Sequence, residues 1–199
     1  KDINTMEDVK GLKMRIPGLG GRLFSAVGAV PQQIPGGDIY AALERGTIDG
    51  AEWVGPYDDE KLGFNKVAKN YYYPGFWEGG ASLGWLVNNK SMEALTPEYR
   101  NIFLAAAHEA NASMMAKYDA RNGPALRRLI AGGTQVKAFP RPVMEGFHRA
   151  SQTMYADMSR ENANFKRLYD SYSAFQRQTV GWMRFTENTF DDFMANVLR

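Results

Sequence analysis

Short apolar stretches, each ended by glycine or proline, fill the first ninety residues of the chain. Leu12, Met14 and Ile16 alternate with charged residues and stop at Pro17, which predicts a strand that ends in a turn. Further strands are predicted at residues 33–34, 48–54, 71–73 and 83–87. Short helices are predicted between them, at residues 21–27 and, capped by Asp38, at residues 39–45. This alternation is typical of an α/β layer with a mixed, largely parallel sheet.

From Ser91 onward the apolar residues follow helical spacing instead. Pro97 opens a predicted helix that runs to Asn122, where Gly123-Pro124 interrupts it. A strand is predicted at residues 134–139 and a helix from Pro142. Residues 165–199 form the longest predicted helical stretch, with a weak point at Gly181. The pattern divides the chain into residues 1–90, 91–164 and 165–199.

Composition excludes several classes of protein. Hydrophobic residues make up 44% and charged residues 23% of the 199 residues, which excludes disorder. A net charge of only +2, from 24 basic and 22 acidic residues, argues against nucleic-acid binding. The absence of cysteine excludes disulfides and thiolate ligands. No apolar run reaches the ~20 residues that cross a bilayer, no signal-peptide pattern opens the chain, and a first residue other than Met indicates a processed chain or a fragment.

Three local motifs are only weak evidence for a catalytic, nucleotide-binding or metal-binding site. Residues 80–84, GASLG, match a hydrolase nucleophile elbow, but a strand rather than a helix is predicted after Ser82. Residues 18–21, GLGG, lack the third glycine of a dinucleotide site and indicate a turn that a small ligand could approach. His108 and His148 both fall on predicted helices, where packed or solvated histidines are the ordinary outcome.

Charged and aromatic residues cluster instead at the predicted ends of strands. Arg15 ends one strand, Glu52 and Trp53 end another, and Glu78 follows Trp77 in a glycine-rich turn. The carboxyl ends of parallel strands are where ligands bind. An arginine there could hold a carboxylate through two hydrogen bonds, and two glutamates could share a hard cation.

Two alternatives for these residues stay open. Arg15 could form an ordinary ion pair with either glutamate. If the two carboxyl groups are close, the pKa of one would rise, so that Glu52 or Glu78 could act as the general base of a carboxylate-handling enzyme. No nucleophile or proton donor in a convincing context accompanies them.

Several segments resemble a known family. Residues 9–18 (VKGLKMRIPG), 28–31 (GAVP) and 40–52 (YAALERGTIDGAE) are similar, in order, to the second domain of TRAP-type periplasmic solute-binding proteins. The likeness covers about the first 90 residues specifically and the rest more loosely. Residues 52–56 (EWVGP) and 71–78 (YYYPGFWE) resemble the branch that binds 2-oxoacids such as pyruvate. Trp53 stands where many dicarboxylate-binding relatives have asparagine, which favours a smaller and more apolar solute.

The resemblance implies a receptor rather than an enzyme. It implies a periplasmic-binding-protein-like α/β fold that closes on its ligand by a hinge motion and hands a small 2-oxoacid to an ion-driven TRAP permease at the membrane. By the same resemblance, Arg15 binds the solute carboxylate, while Glu52, the Trp53 carbonyl and Glu78 hold a cation that bridges to the solute, so that Trp53 and Glu78 also count as solute-binding. The cation is expected to be Na⁺, with Ca²⁺ as the alternative.

The resemblance also assigns roles to the three segments. Residues 1–90 would be the ligand-binding domain, residues 91–164 would complete its core and hinge, and residues 165–199 would be a long helix that supports a homodimer. Packing of that helix across the protein's own domains is the alternative, and a helical interaction module that binds no small molecule is a third reading of the whole chain. The family's first domain has no counterpart before Lys1, so the chain alone is expected to bind solute weakly or not at all.

Overall fold

The computed structural model describes residues 2–77 and 79–198, in which the chain forms two compact units, residues 1–147 and 148–199. Within the described part there are five strands: β1 (Lys13–Arg15), β2 (Val30–Gln32), β3 (Gly50–Ala51), β4 (Asn70–Tyr73) and β5 (Gln135–Ala138). The same part contains nine α-helices: α1 (Gly18–Ala26), α2 (Ile39–Glu44), α3 (Pro56–Lys61), α4 (Phe64–Val67), α5 (Asn89–Glu93), α6 (Pro97–Ala131), α7 (Arg141–Glu161), α8 (Ala163–Met183) and α9 (Thr189–Val197).

All the strand pairs within the described residues are parallel. β1 lies between β2 and β3, with Arg15 opposite Gln32 on one side and opposite Ala51 on the other. β4 and β5 form a second sheet, in which Tyr71 pairs with Val136. The predicted α/β class with parallel strands is therefore confirmed. Because β1 and β3 run in the same direction, the end of β1 at Arg15 lies beside the residues that follow β3.

Three predicted strands differ from the observed ones. β2 lies at residues 30–32 rather than 33–34, and β3 keeps only two residues of the predicted 48–54. The strand predicted at residues 83–87 is wrong, since residues 81–88 pair with no other strand of the described chain and the Leu86 side chain is fully exposed. Alternating apolar residues make a strand only where a partner backbone satisfies the main-chain hydrogen bonds.

The longer helices were predicted with errors at their ends or inside them, whereas the short helices α3, α4 and α5 were not predicted. Helix α2 is present, but the Asp38 side chain makes no cap hydrogen bond, because a 3₁₀ turn at Gly36–Asp38 leads directly into the helix. Helix α6 runs without a break for 35 residues through Pro124, so the predicted interruption there is wrong. Proline removes one main-chain hydrogen bond, and burial of the following Ala125 and Leu129 holds this turn against the core.

The largely aliphatic core of the first unit contains an aromatic cluster. Phe147, on α7, is 1% exposed, and its ring lies 4.9 Å from that of Phe24 on α1 and 3.9 Å from that of Phe76. Phe76 also contacts Trp77, with ring centroids 4.7 Å apart. These contacts anchor the segment after β4, which carries Phe76 and Trp77, on the same core that supports β1.

The second unit consists of helices, with a break at Asn162 between α7 and α8. Helix α8 continues through a π-helical turn at Arg184–Asn188 into α9, so the predicted weak point at Gly181 is a local change of helix type three residues further on. Inside this unit the Tyr169 ring lies 5.0 Å from that of Tyr155 and 5.9 Å from that of Phe165. Many other large apolar side chains of the unit are exposed: Leu168, Tyr172, Phe175, Trp182, Phe185, Phe190, Phe193 and Val197.

Among residues 2–77 and 79–198, no helix is both long enough and apolar enough to cross a bilayer. The division into residues 1–90, 91–164 and 165–199 stays a prediction.

Candidate functional site

Arg15 is fixed at the end of β1 by three hydrogen bonds. Its Nη1 donates to the Glu52 carboxylate (3.1 Å) and to the Glu52 main-chain carbonyl (2.9 Å). Its Nε donates to the Ile34 carbonyl (3.1 Å). In return, the Glu52 N–H donates to the Arg15 carbonyl (2.9 Å) and so extends the pairing of β1 with β3 by one step. Both charged side chains are only 11% exposed, which strengthens their interaction compared with a surface pair.

The indole of Trp53 packs against the same guanidinium. The Arg15 Cζ lies 5.0 Å from the centroid of the Trp53 ring, within the range of a cation–π contact. Gly36 also contacts the indole closely, since a Cβ added at this glycine would lie 2.5 Å from the ring. The position of the guanidinium is therefore set by the Glu52 main chain, the Glu52 carboxylate and the Trp53 ring together.

The residues predicted for the site are partly brought together. Arg15, Glu52 and Trp53 are in contact, as the strand-end hypothesis requires, and the ion pair considered as an alternative is also present. Glu78 lies outside the described residues. The contact between Arg15 and Glu52 does not by itself show a ligand-binding role, so the roles of these residues stay a prediction.

A cleft of about 910 Å³ opens beside this cluster within the first unit. Glu52, Trp53, Asp59, Tyr71 and Trp77 contribute to its wall. Its volume is in the range of small-molecule sites. Arg15 is not among the described residues that line it, whereas its contact partners Glu52 and Trp53 are. The guanidinium therefore touches two residues of the cleft wall without lining the cleft itself.

Two residues of the cleft wall, Asp59 and Tyr71, were not predicted as site residues, although Tyr71 lies in the 71–78 segment that resembles the family. Asp59 on α3 is buried, and its carboxylate accepts hydrogen bonds from the Tyr71 hydroxyl (2.6 Å) and from the Gly55 N–H (3.4 Å). Burial raises the pKa of Asp59, although these hydrogen bonds oppose the change. Burial also raises the pKa of Tyr71 well above its usual range. The only local hints were an acidic residue in the first turn after Gly55-Pro56 and the run of three tyrosines.

The available donors are of the kind that hard cations prefer. The Glu52 carboxylate and the Trp53 main-chain carbonyl are oxygen ligands, which fit Na⁺ or Ca²⁺ better than a transition metal. No group of three or more His, Asp or Glu side chains that could hold a metal occurs among the described residues. A cation site here would therefore need main-chain, solute or further oxygens besides Glu52.

The structure gives no support for a catalytic or cofactor-binding role of the three local motifs described in the sequence. Ser82 lies in an exposed stretch, 81–88, that the structure assigns to neither strand nor helix, whereas a nucleophile elbow needs both. Gly18–Gly21 forms the first turn of α1. His108 and His148 lie exposed on α6 and α7, as predicted.

An α/β unit with a mostly apolar cleft at its strand ends, into which a few charged and hydroxyl groups project, is typical of a domain that binds a small molecule. The chain belongs to the DctP family of bacterial extracellular solute-binding proteins, family 7, whose sequence profile matches residues 1–162. This confirms the resemblance stated from the sequence, and the family is one of solute-binding proteins rather than enzymes.

Three relatives show how far the likeness extends. The chain is 47% identical over 196 residues to the monocarboxylate 2-oxoacid-binding periplasmic protein of Nostoc sp. strain PCC 7120, covering 98% of this chain and 54% of the relative. A TRAP transporter solute-binding protein of Bordetella bronchiseptica, solved as a mixed-occupancy dimer with calcium and picolinate, is 52% identical with a TM-score of 0.96. A TRAP periplasmic solute-binding protein of Pseudoalteromonas atlantica, solved with sodium and pyruvate, is 35% identical with a TM-score of 0.91.

The chain matches only part of each of these proteins. It is covered fully by the Bordetella structure and to 96% by the Pseudoalteromonas structure, and it spans 59% of each. It spans about half the length of the curated relative. The similarity thus covers this whole chain, but the activities of the relatives belong to longer proteins.

The contact between Gly36 and Trp53 gives a testable prediction about the site. We expect Gly36→Ala to lower the free energy of unfolding by roughly 1–3 kcal/mol, because the new methyl group overlaps the indole and forces it to move. Gly37→Ala is the matched control, since an added Cβ there meets no atom within 4 Å. Urea denaturation of both variants measures the difference, and equal stabilities would show that the indole is not held against Gly36.

Proposed function

We propose that this chain is the solute-binding part of a periplasmic TRAP receptor, which captures a small 2-oxoacid such as pyruvate together with a cation and delivers it to an ion-driven membrane permease. The names of the relatives support this proposal, since one binds monocarboxylate 2-oxoacids and another was solved with pyruvate. Because the chain spans about half of the curated relative, the proposal concerns the longer protein as well.

The observation that carries the proposal is the Arg15 cluster. A nearly buried guanidinium at a strand end, backed by Trp53 and beside a cleft of small-molecule size, is suited to binding a carboxylate. Arg15 would supply the charge that a monocarboxylate needs. Trp53 would supply an apolar surface for its short carbon chain.

In this proposal Glu52, the Trp53 carbonyl and Glu78 hold the cation. A 2-oxoacid offers a carboxylate oxygen and an adjacent keto oxygen, so it can chelate a cation that a plain monocarboxylate can bind through its carboxylate alone. Arg15 and Na⁺ supply two positive charges against three negative charges from two glutamates and the solute. With Ca²⁺ the three positive charges balance the three negative ones, which lowers the cost of burying the group.

Cation binding would also change the partner of Glu52. Its carboxylate now accepts a hydrogen bond from Arg15, and Glu52 rather than Arg15 lines the cleft. A cation that drew this carboxylate away would leave Nη1 available to the carboxylate of the solute. The cation and the solute would therefore bind cooperatively.

We further propose that the helical unit formed by residues 148–199 supports a homodimer. Phe185, Phe190 and Phe193 are among its many exposed large apolar side chains, and contiguous surfaces of such side chains are typical of protein–protein contact sites. The Bordetella relative was solved as a dimer. Measurement of the molecular mass in solution tests this part of the proposal, and a monomer at micromolar concentration would refute it.

Titration calorimetry with matched solutes tests the proposed function. In a protein of the relatives' full length that carries this chain, we expect pyruvate to bind at least about tenfold more tightly than propionate, because only pyruvate has the keto oxygen. Each titration is made in buffer with sodium and calcium. Equal affinity for the two acids would remove the 2-oxoacid assignment, and no binding of any small carboxylate would remove the receptor proposal itself.

A further inference from the structure

Asp59 is a buried carboxylate whose described partners are all neutral. Its residue is 8% exposed, and no ion pair to it occurs within residues 2–77 and 79–198. A buried carboxylate without a cation is costly unless hydrogen bonds satisfy it. The Tyr71 hydroxyl, at 2.6 Å, and the Gly55 N–H, at 3.4 Å, provide that satisfaction.

These two hydrogen bonds join two of the segments that line the cleft. Gly55 follows Glu52 and Trp53 by only two or three residues, and its carbonyl also accepts a hydrogen bond from the Asp59 N–H (2.9 Å). Tyr71 lies on β4, the strand that leads to Trp77 on the other part of the wall. One carboxylate thus connects the segment after β3 with the strand that precedes Trp77.

A second aspartate–tyrosine pair provides an internal comparison. Asp58, the neighbour of Asp59 on α3, accepts a hydrogen bond from the Tyr118 hydroxyl at 2.7 Å. Tyr118 lies on α6, and neither member of this pair lines the cleft. Both pairs join a tyrosine hydroxyl to a carboxylate at nearly the same distance, but Asp58 is less buried and also lies 3.8 Å from the Lys61 ammonium. Only Asp59 and Tyr71 line the cleft.

From this arrangement we infer that Asp59 is a positioning residue for the solute site: its hydrogen bonds to Gly55 and Tyr71 hold Glu52 and Trp53 in register with the Tyr71–Trp77 wall. Its part in solute binding rests on the function proposed above. Without the bond to Tyr71, Asp59 no longer links the turn at residues 52–55 to β4. The solute would then meet a site in which Glu52 and Trp53 are less well placed.

Removal of one hydroxyl at a time separates this role from general stability. We expect Tyr71→Phe to weaken pyruvate binding about tenfold, the effect of losing one hydrogen bond to a charged group. Tyr118→Phe removes the comparable bond to Asp58 and should leave the pyruvate affinity within about twofold of the native value. Both variants should lower the melting temperature. Equal pyruvate affinities in the two variants would overturn the inference.

Amide hydrogen exchange provides a readout that needs no solute. We expect exchange at residues 52–55 to be about tenfold faster in Tyr71→Phe than in the native protein, and unchanged in Tyr118→Phe. Asp59→Asn keeps an oxygen acceptor for Gly55 and a polar group for Tyr71, so it should retain most of the protection that Asp59→Ala loses. Unchanged protection at residues 52–55 in Tyr71→Phe and in Asp59→Ala would refute the inference whether or not pyruvate binds.

The two proposals can fail separately. If the native protein binds pyruvate and Tyr71→Phe matches it in both affinity and exchange, the role of Asp59 is wrong and the receptor function stands. If the native protein binds no carboxylate but residues 52–55 lose protection in Tyr71→Phe, the receptor function is wrong and the positioning of this turn by Asp59 stands.

Discussion

Arg15→Ala should weaken pyruvate binding at least about 100-fold, which corresponds to a loss of about 3 kcal/mol. The proposed role of Arg15 is to bind the solute carboxylate in a place that water reaches poorly, since its side chain is only 11% exposed. Alanine would leave that carboxylate without a partner next to Glu52. The repulsion between the two negative groups would add to the loss of the hydrogen bonds.

Two variants make the result specific to this guanidinium. Arg22→Ala removes an exposed arginine of α1 and should leave pyruvate affinity unchanged within about twofold. Arg15→Lys keeps the charge but not the planar fork, so an intermediate affinity is expected. Calorimetry measures the affinities, and thermal unfolding checks that the variants are folded. Pyruvate affinity in a folded Arg15→Ala protein equal to that of the native protein would exclude the proposed role.

The proximity of Arg15 and Glu52 could be predicted because it depends on two local sequence patterns. An alternating segment stopped by Pro17 defines the end of β1, and a second segment ending near Glu52 defines β3. In a parallel sheet two such ends lie side by side, and the register places Arg15 opposite Ala51, the residue before Glu52. Two strand ends and the rule of parallel pairing were enough to predict this contact.

Features that depend on distant residues were not predictable in the same way. The 83–87 segment has strand-like composition but no partner among the described residues, and Pro124 is accommodated in α6 by burial of the turn that follows it. The hydrogen bond between Asp59 and Tyr71 joins residues 12 positions apart that belong to different elements. No periodicity links such a pair, so only the folded chain shows it.

Removal of the cation is the second change with a large expected effect. In the proposed site the cation offsets the negative charges of Glu52 and Glu78 and is coordinated by oxygen atoms of the solute. Without it, the solute carboxylate would enter a cleft whose wall carries the Glu52 carboxylate, and the Glu52 side chain would keep its bond to Arg15. We therefore expect pyruvate affinity to fall at least about 100-fold in buffer free of sodium and calcium, equivalent to about 3 kcal/mol.

Glu52→Gln provides the matched variant for this dependence. The amide retains an oxygen of similar position but lacks the negative charge, so it should bind the cation less tightly. The change in pyruvate affinity on adding the cation should therefore be smaller in Glu52→Gln than in the native protein. A cation effect of the same size in both proteins would assign the cation to other ligands.

The most direct measurement is a pyruvate titration by calorimetry of one metal-depleted preparation, first with choline as the only cation and then with added sodium or calcium. We predict weak or undetectable heat in choline and full binding after either metal ion is restored. The same pyruvate affinity in all three buffers would contradict the cation-bridged site and leave Arg15 as a simple anion-binding residue.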